Sequence, residues 1–199
     1  LLPLPLAVVL FCSCPPAKKP PVDPEPSGRC EVDLAATGLF SAVGSGARAK
    51  AIQSAAELVG GPFAQAVVGD FLLENDKIRV VVQRPYRQIG AAPYGGTIID
   101  VDLKRPAGAP GRDQLGKMEV LYAFGRTINV SKVEVLQDGT AGGAAVIAAT
   151  GPDAVNDYVN VGNMIDAYLG GSGAKLVVDP NVPLPLTATT YYVLSPGES

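Results

Sequence analysis

Apolar and polar positions alternate with period two along most of this chain, and that period predicts strands. In 76–83, "DKIRVVVQ", Ile78, Val80 and Val82 alternate with Lys77, Arg79, Val81 and Gln83. In 95–104, "GGTIIDVDLK", Ile99, Val101 and Leu103 are expected on one face, with Asp100, Asp102 and Lys104 on the other. "KMEVLYAF" (117–124), "TINVSKVEVLQDG" (127–139), "GAAVIAATG" (143–151), "AKLVVDP" (174–180) and "LPLTATTYYVLSPG" (184–197) continue the series. Asp138-Gly139 is a hairpin signal that makes 143–151 the return strand. Only 47–62, "ARAKAIQSAAELVGGP", reads as a helix. Its apolar stripe is Ala51, Ile52, Ala55, Ala56 and Val59, and Gly60, Gly61 and Pro62 stop it. Residues 153–171 fit strand or helix equally. Short strands separated by turn chemistry predict an all-β antiparallel sandwich, with one short N-terminal helix.

Composition narrows the function. The 199 residues include 23 glycines and 18 prolines, which fall largely between the apolar runs and agree with a turn-rich fold. Hydrophobic residues make up 47%, enough for a packed core. A net charge of -3 offers no electrostatic footprint for nucleic acid or an anionic membrane. The chain has no histidine, which removes histidine-dependent triads and most catalytic zinc sites. It has no tryptophan, which weakens any reading built on sugar stacking. No cofactor motif is present; the "GSG" at 44–46 follows no strand and lacks the lysine of a phosphate loop.

The start of the chain speaks to address. Residues 1–11, "LLPLPLAVVLF", are uncharged and too short to span a bilayer, which takes roughly 20 apolar residues. They suit the apolar part of a secretory signal clipped at its start. Phe11, Cys12, Ser13 and Cys14 resemble the lipobox of bacterial lipoproteins, which implies a lipid on Cys14 and a membrane-anchored protein of the bacterial periplasm or outer surface. Phe11 stands where that pattern usually has leucine. Six of the twelve residues from Pro15 to Pro26 are proline, so 15–30 reads as an extended tether of about 3.1 Å per residue. The domain then occupies 31–199, either complete or the leading part of something longer. Cys30, the third cysteine, reads as a small buried residue at the domain edge.

A family resemblance rests on "GDFLLENDKIRVVVQ" (69–83) and "GGTIIDVDL" (95–103). These resemble the first strands of the galactose-mutarotase-like supersandwich, in which an L-x-N strand leads to a G-G-x-I strand. With the hairpin from Val133 to Gly151, the stretch 61–197 is similar to the N-terminal β-sandwich region of uncharacterised bacterial surface lipoproteins. Mutarotases use histidines and a glutamate on later strands, so that activity does not carry over to a chain without histidine.

Arg84, Tyr86, Arg87 and Tyr94, in the loop between two predicted strands, pair charge with flat apolar surface and are the candidate ligand contacts. Asp100 and Asp102 lie about 7 Å apart on one strand face and read as a solvated row shared with Lys104. Glu74, Asn75 and Asp76 read as a turn. Asp153, Asn156, Asp157 and Asn160 are oxygen-rich but lack a calcium-loop pattern, and no metal site is assigned. Two functions remain open. One is a non-catalytic module presenting loops to a glycan or envelope protein; the other is the leading part of a hydrolytic supersandwich enzyme with its catalytic residues beyond Ser199.

Overall fold

The structure is a computed structural model that describes residues 7–9, 33, 36–38, 40–90, 93–123, 125–173 and 179–197. Cys12, Cys14, Cys30, the 15–30 tether and most of the strand expected at 174–180 lie outside the described residues. Two antiparallel sheets face each other. One is a meander of β2 (Arg48–Ala51), β3 (Phe71–Glu74), β4 (Ile78–Val82) and β5 (Ile98–Leu103), adjacent in that order. The other is built on β8 (Ala145–Val155). β9 (Thr187–Leu194) pairs along one edge of β8, while β7 (Lys132–Gln137) and β6 (Arg126–Ile128) share its other edge. β1 (Ala7–Val9), part of the apolar run at the start of the chain, lies against β9. The expected all-β antiparallel sandwich is present.

The core lies between the sheets. Ala49, Leu73, Val80, Val82 and Ile98 from one sheet meet Ile128, Ala145, Ile147, Ala149, Tyr192 and Leu194 from the other. Each fully buried Val or Ile contributes about 1.5–3 kcal/mol of transfer free energy, so this face sets the registers. Turn chemistry agrees with it. Asn75 closes the β3–β4 hairpin: its Oδ1 accepts from the N–H groups of Lys77 (2.8 Å) and Ile78 (3.0 Å). Its Nδ2 donates to the Ser195 carbonyl at 3.1 Å, pinning the turn to the end of β9. Asp138 Oδ1 accepts from the N–H and hydroxyl of Thr140, and the β7–β8 hairpin follows as expected.

Three expectations are corrected. Residues 47–62 are not an α-helix: they form β2 and then a single 3-10 turn, Ala55–Glu57. "ARAKA" also alternates with period two, and pairing with β3 buries Ala47 and Ala49 in the core while Arg48 stays exposed. The ladder overrides the weak helical preference of alanine. Gly60 and Gly61 do not stop a helix. A Cβ at Gly61 would sit 2.1 Å from the Asp113 nitrogen, because the 60–61 and 111–113 backbones run in contact. The α-helix is α1 (Val161–Gly170), in the segment left open by periodicity, with Asn160 Oδ1 accepting from the Asn163 N–H at 2.9 Å. The strand expected at 117–124 is not formed among its described residues, 117–123, which contribute only isolated bridges at Met118 and Tyr122.

The third correction concerns faces. The meander is covered on both sides: Ile52, Leu72, Val81 and Ile99, with Val59 from the covering segment, form a second core on its outer face. Asp100 and Asp102 are therefore buried, not solvated. A bulge at Val81–Val82 pairs Val82 with Ile98 and Val81 with Asp100, so Ile99 joins the outer core while Val101 packs toward the inner one.

Candidate functional site

The outer face of the meander carries a charge ladder. Register places Arg48 opposite Glu74, Glu74 opposite Arg79, and Arg79 opposite Asp102, so sign alternates across four strands. Glu74 accepts from Arg79 Nε (3.2 Å) and Lys104 Nζ (2.5 Å). Asp102 holds Arg105 by two bonds, to Nε (2.8 Å) and Nη2 (2.7 Å), and these chiefly hold its carboxyl below the usual range. Between this ladder and the 56–60 and 103–111 segments runs a groove of about 450 Å³. Lys50 and Glu57 pair at its rim. That contact and the Gln53 N–H hold the Glu57 carboxyl down at about 2. The groove is polar, has no aromatic lining, and matches each acidic side chain with a cation.

The 84–96 loop leaves the other end of β4. Its base is closed by Gln83 N–H to Thr97 O and Gly96 N–H to Gln83 O, both 2.8 Å. Gly96 has φ +74°, and a Cβ there would meet Val130 Cγ2 at 2.6 Å, so only glycine lets the loop turn over the core. Beneath it, the fully buried Gln83 donates from Nε2 to the Arg87 carbonyl (2.6 Å) and accepts at Oε1 from Lys117 Nζ (3.2 Å). Lys117 also donates to the Tyr94 carbonyl at 3.2 Å. Burial, with repulsion from Arg87, outweighs the attraction of Glu119 and lowers the Lys117 pKa. Burial raises the carboxyl of Glu119.

The four residues singled out in this loop have different surroundings. The side of the loop is fastened to Asp70, which is fully buried. Asp70 Oδ1 accepts from the Arg84 N–H (2.9 Å), and Oδ2 from Arg87 Nη1 (2.7 Å) and the Val67 N–H (2.8 Å). Arg84 Nη1 donates to the Val68 carbonyl at 3.2 Å, and Arg87 Nη2 to the Gln65 carbonyl. Tyr94 is half-buried; burial, with the negative charges of Asp157 and Glu119, raises its hydroxyl pKa. Tyr86 projects: it is 80% exposed, holds φ +59°, and donates to the Ser131 carbonyl at 3.3 Å. A bulky residue in the left-handed region stores about 1–3 kcal/mol of strain, which the pinned neighbours sustain. The arginines are thus occupied by the framework, and the tyrosine is displayed.

Sequence reasoning missed Asp70, Gln83 and Lys117, and no local motif marks them. Beside the near contacts of Asp70 with Val67 and Gln83 with Arg87, the bonds of Asp70 to Arg84 and Arg87 and of Lys117 to Gln83 span 14 to 34 residues. Asp100 accepts from the Gln65 (2.7 Å) and Ala66 (2.9 Å) N–H groups, which staple the covering segment; burial still raises its carboxyl. Asp153, Asn156 and Asn160 go to separate tasks: a pair with Arg126, a turn before α1, and the cap of α1. Among the described residues no group of three or more acidic or cysteine side chains is placed to hold a metal ion, and no helix is long and apolar enough to cross a membrane. Compared with known protein families, curated proteins and solved structures, the chain finds no match.

Proposed function

We propose that this chain is a lipid-anchored β-sandwich module of the bacterial envelope that binds a partner through the 84–96 loop and is non-catalytic by itself. The observation that carries this reading is the contrast within that loop. Asp70, Gln83 and Lys117 fix its base and flank, while Tyr86 stands exposed on strained backbone. A loop fastened at its base and flank loses less conformational entropy on binding, and its one displayed aromatic supplies an anchor side chain. A protein partner fits better than a glycan, because the chain has no tryptophan and the loop displays a single ring, Tyr86, where sugar stacking favours a flat aromatic platform. The lipobox-like Ser13-Cys14 and the proline-rich 15–30 stretch support the anchor and the spacer.

The test uses the full chain expressed in a bacterial envelope, with Tyr86→Gly as the variant. Glycine keeps the left-handed turn and removes the ring. Partner capture by chemical cross-linking is expected to fail in the variant, with thermal stability equal or higher because the left-handed strain is relieved; a glycan array run in parallel reports the alternative ligand. Capture equal to wild type would remove the loop from the function.

A further inference from the structure

Most strand edges of this sandwich are closed from within. On the outer edge of β5, the Ile98 carbonyl accepts from the Met118 N–H (2.8 Å) and the Val101 N–H goes to Asp113 Oδ1 (2.8 Å). β2 sends the Ala49 N–H to the Asp138 carbonyl at 3.0 Å. β7 carries the exposed pair Lys132–Glu134, at 2.7 Å, and charge on an edge discourages an added strand. β9 is different. Its sequence, TATTYYVL, has no charge and is mostly β-branched or aromatic. Its outer edge meets only β1, at Thr190, Tyr191 and Tyr192; Thr187 to Thr189, Val193 and Leu194 have no strand partner on that side among the described residues.

The occupant already seated there defines the chemistry the edge accepts: Ala7–Val9, an uncharged segment of small and β-branched residues, running antiparallel. Three residues form a short ladder, and short ladders exchange easily. We infer that the β9 edge is a strand-acceptor site, held by Ala7–Val9 in the unprocessed chain and vacated when processing before Cys14 removes that segment. The vacated edge takes an extended, uncharged, β-branched segment of a partner polypeptide, with main-chain bonds supplying affinity and alternate side chains specificity. The vacating step rests on the lipoprotein reading above; the capacity of the edge to accept a strand does not.

The probe is a fluorescent synthetic peptide with the sequence of residues 3–11. Four forms are compared: the exported, processed chain, and three kept unprocessed by Cys14→Ala, namely that variant alone, with Val8→Pro, and with Val8→Asp. Proline removes an N–H from the ladder, and Val8→Asp is a second opened form that keeps the backbone intact. The processed chain and both opened forms are expected to bind the peptide about tenfold or more tighter than Cys14→Ala alone. A peptide with proline in place of Val8 should bind none of them. Amide exchange at 190–192 should speed up in Val8→Pro and slow again with peptide. Equal binding by all four forms, or indifference to proline in the peptide, overturns the site. Self-association of the opened forms in place of peptide capture overturns the partner and assigns the edge to a second copy. Mass spectrometry of the exported chain reports cleavage separately: an uncleaved chain sinks the lipoprotein reading, while the Val8 variants still decide the edge.

Discussion

Arg126 and Asp153 form a buried ion pair that ties β6 to β8, with Nε at 3.0 and 3.1 Å from the two carboxylate oxygens and Nη2 at 2.5 Å. Both side chains are almost wholly inaccessible, at 5% and 0%. The pair also organises the segment before β9: Asp153 accepts from the Leu184 N–H (2.6 Å) and from the Tyr122 hydroxyl, and Arg126 donates to the Val182 carbonyl (2.6 Å). Removing one partner strands the other charge in the interior. Arg126→Ala is therefore expected to cost about 3–5 kcal/mol in denaturant unfolding. A loss under 1 kcal/mol would show that the pair is not closed to water.

The same carboxylate sets an acid limit. Burial pushes the Asp153 carboxyl up, but the bonds from Arg126, Tyr122 and Leu184 outweigh it and hold the group below its usual 3.8. A depressed folded pKa means that the stabilisation is complete above the unfolded value and is lost as pH falls through the folded one. Thermal stability should drop below about pH 4 in wild type, and drop less steeply in Asp153→Asn, which starts less stable. Parallel pH curves would refute this.

Glu57 offers a site-resolved titration. Its carboxyl, held at about 2 by Lys50 and the Gln53 N–H against the usual 4.5, should show a midpoint near that value by carboxyl NMR. The stabilisation is present above pH 4.5 and is lost as pH falls toward 2. Lys50→Met should move the midpoint up toward the ordinary value. An unmoved midpoint would assign the shift to the backbone alone.

Ile99 tests the outer core. It is fully buried with Ile52, Leu72 and Val81, on the face opposite Val80. Ile99→Ala should cost about 2–5 kcal/mol and speed amide exchange in 58–67, the segment lying over that face. Val80→Asp, in the inner core, should cost several kcal/mol by burying an unpaired charge, and abolish cooperative unfolding. Protection of 58–67 unaffected by Ile99→Ala would place Ile99 on the wrong face.

Lys117 tests the loop clamp. Lys117→Met leaves the buried Gln83 Oε1 without this donor, at a cost of about 1–3 kcal/mol. Amide exchange in 84–96 should accelerate while β3 and β4 stay protected. Uniform acceleration across the sheet would show that Lys117 supports the fold at large rather than the loop.

What the sequence by itself determined is local. The period-two alternation of 78–82, the Asn75 turn and the Asp138-Gly139 hairpin were all legible, because side-chain direction and turn bonding are settled within a few neighbouring residues. Those elements were enough to set the fold class. Only the tertiary structure decided what depends on distant partners. Alanine-rich 48–51 became strand because β3 offered a ladder. Ile99 changed faces because a bulge, seen only in pairing with β4, broke the alternation. Asp100, read as solvated, is buried because the 65–66 N–H groups, 34 and 35 residues away in sequence, cover it. Arg84 and Arg87 were legible as charged residues of a loop between strands, but the framework contacts they make were not. Their electrostatic partner, Asp70, is chosen by the packing of the covering segment against the sheet, and no spacing along the chain encodes that closure.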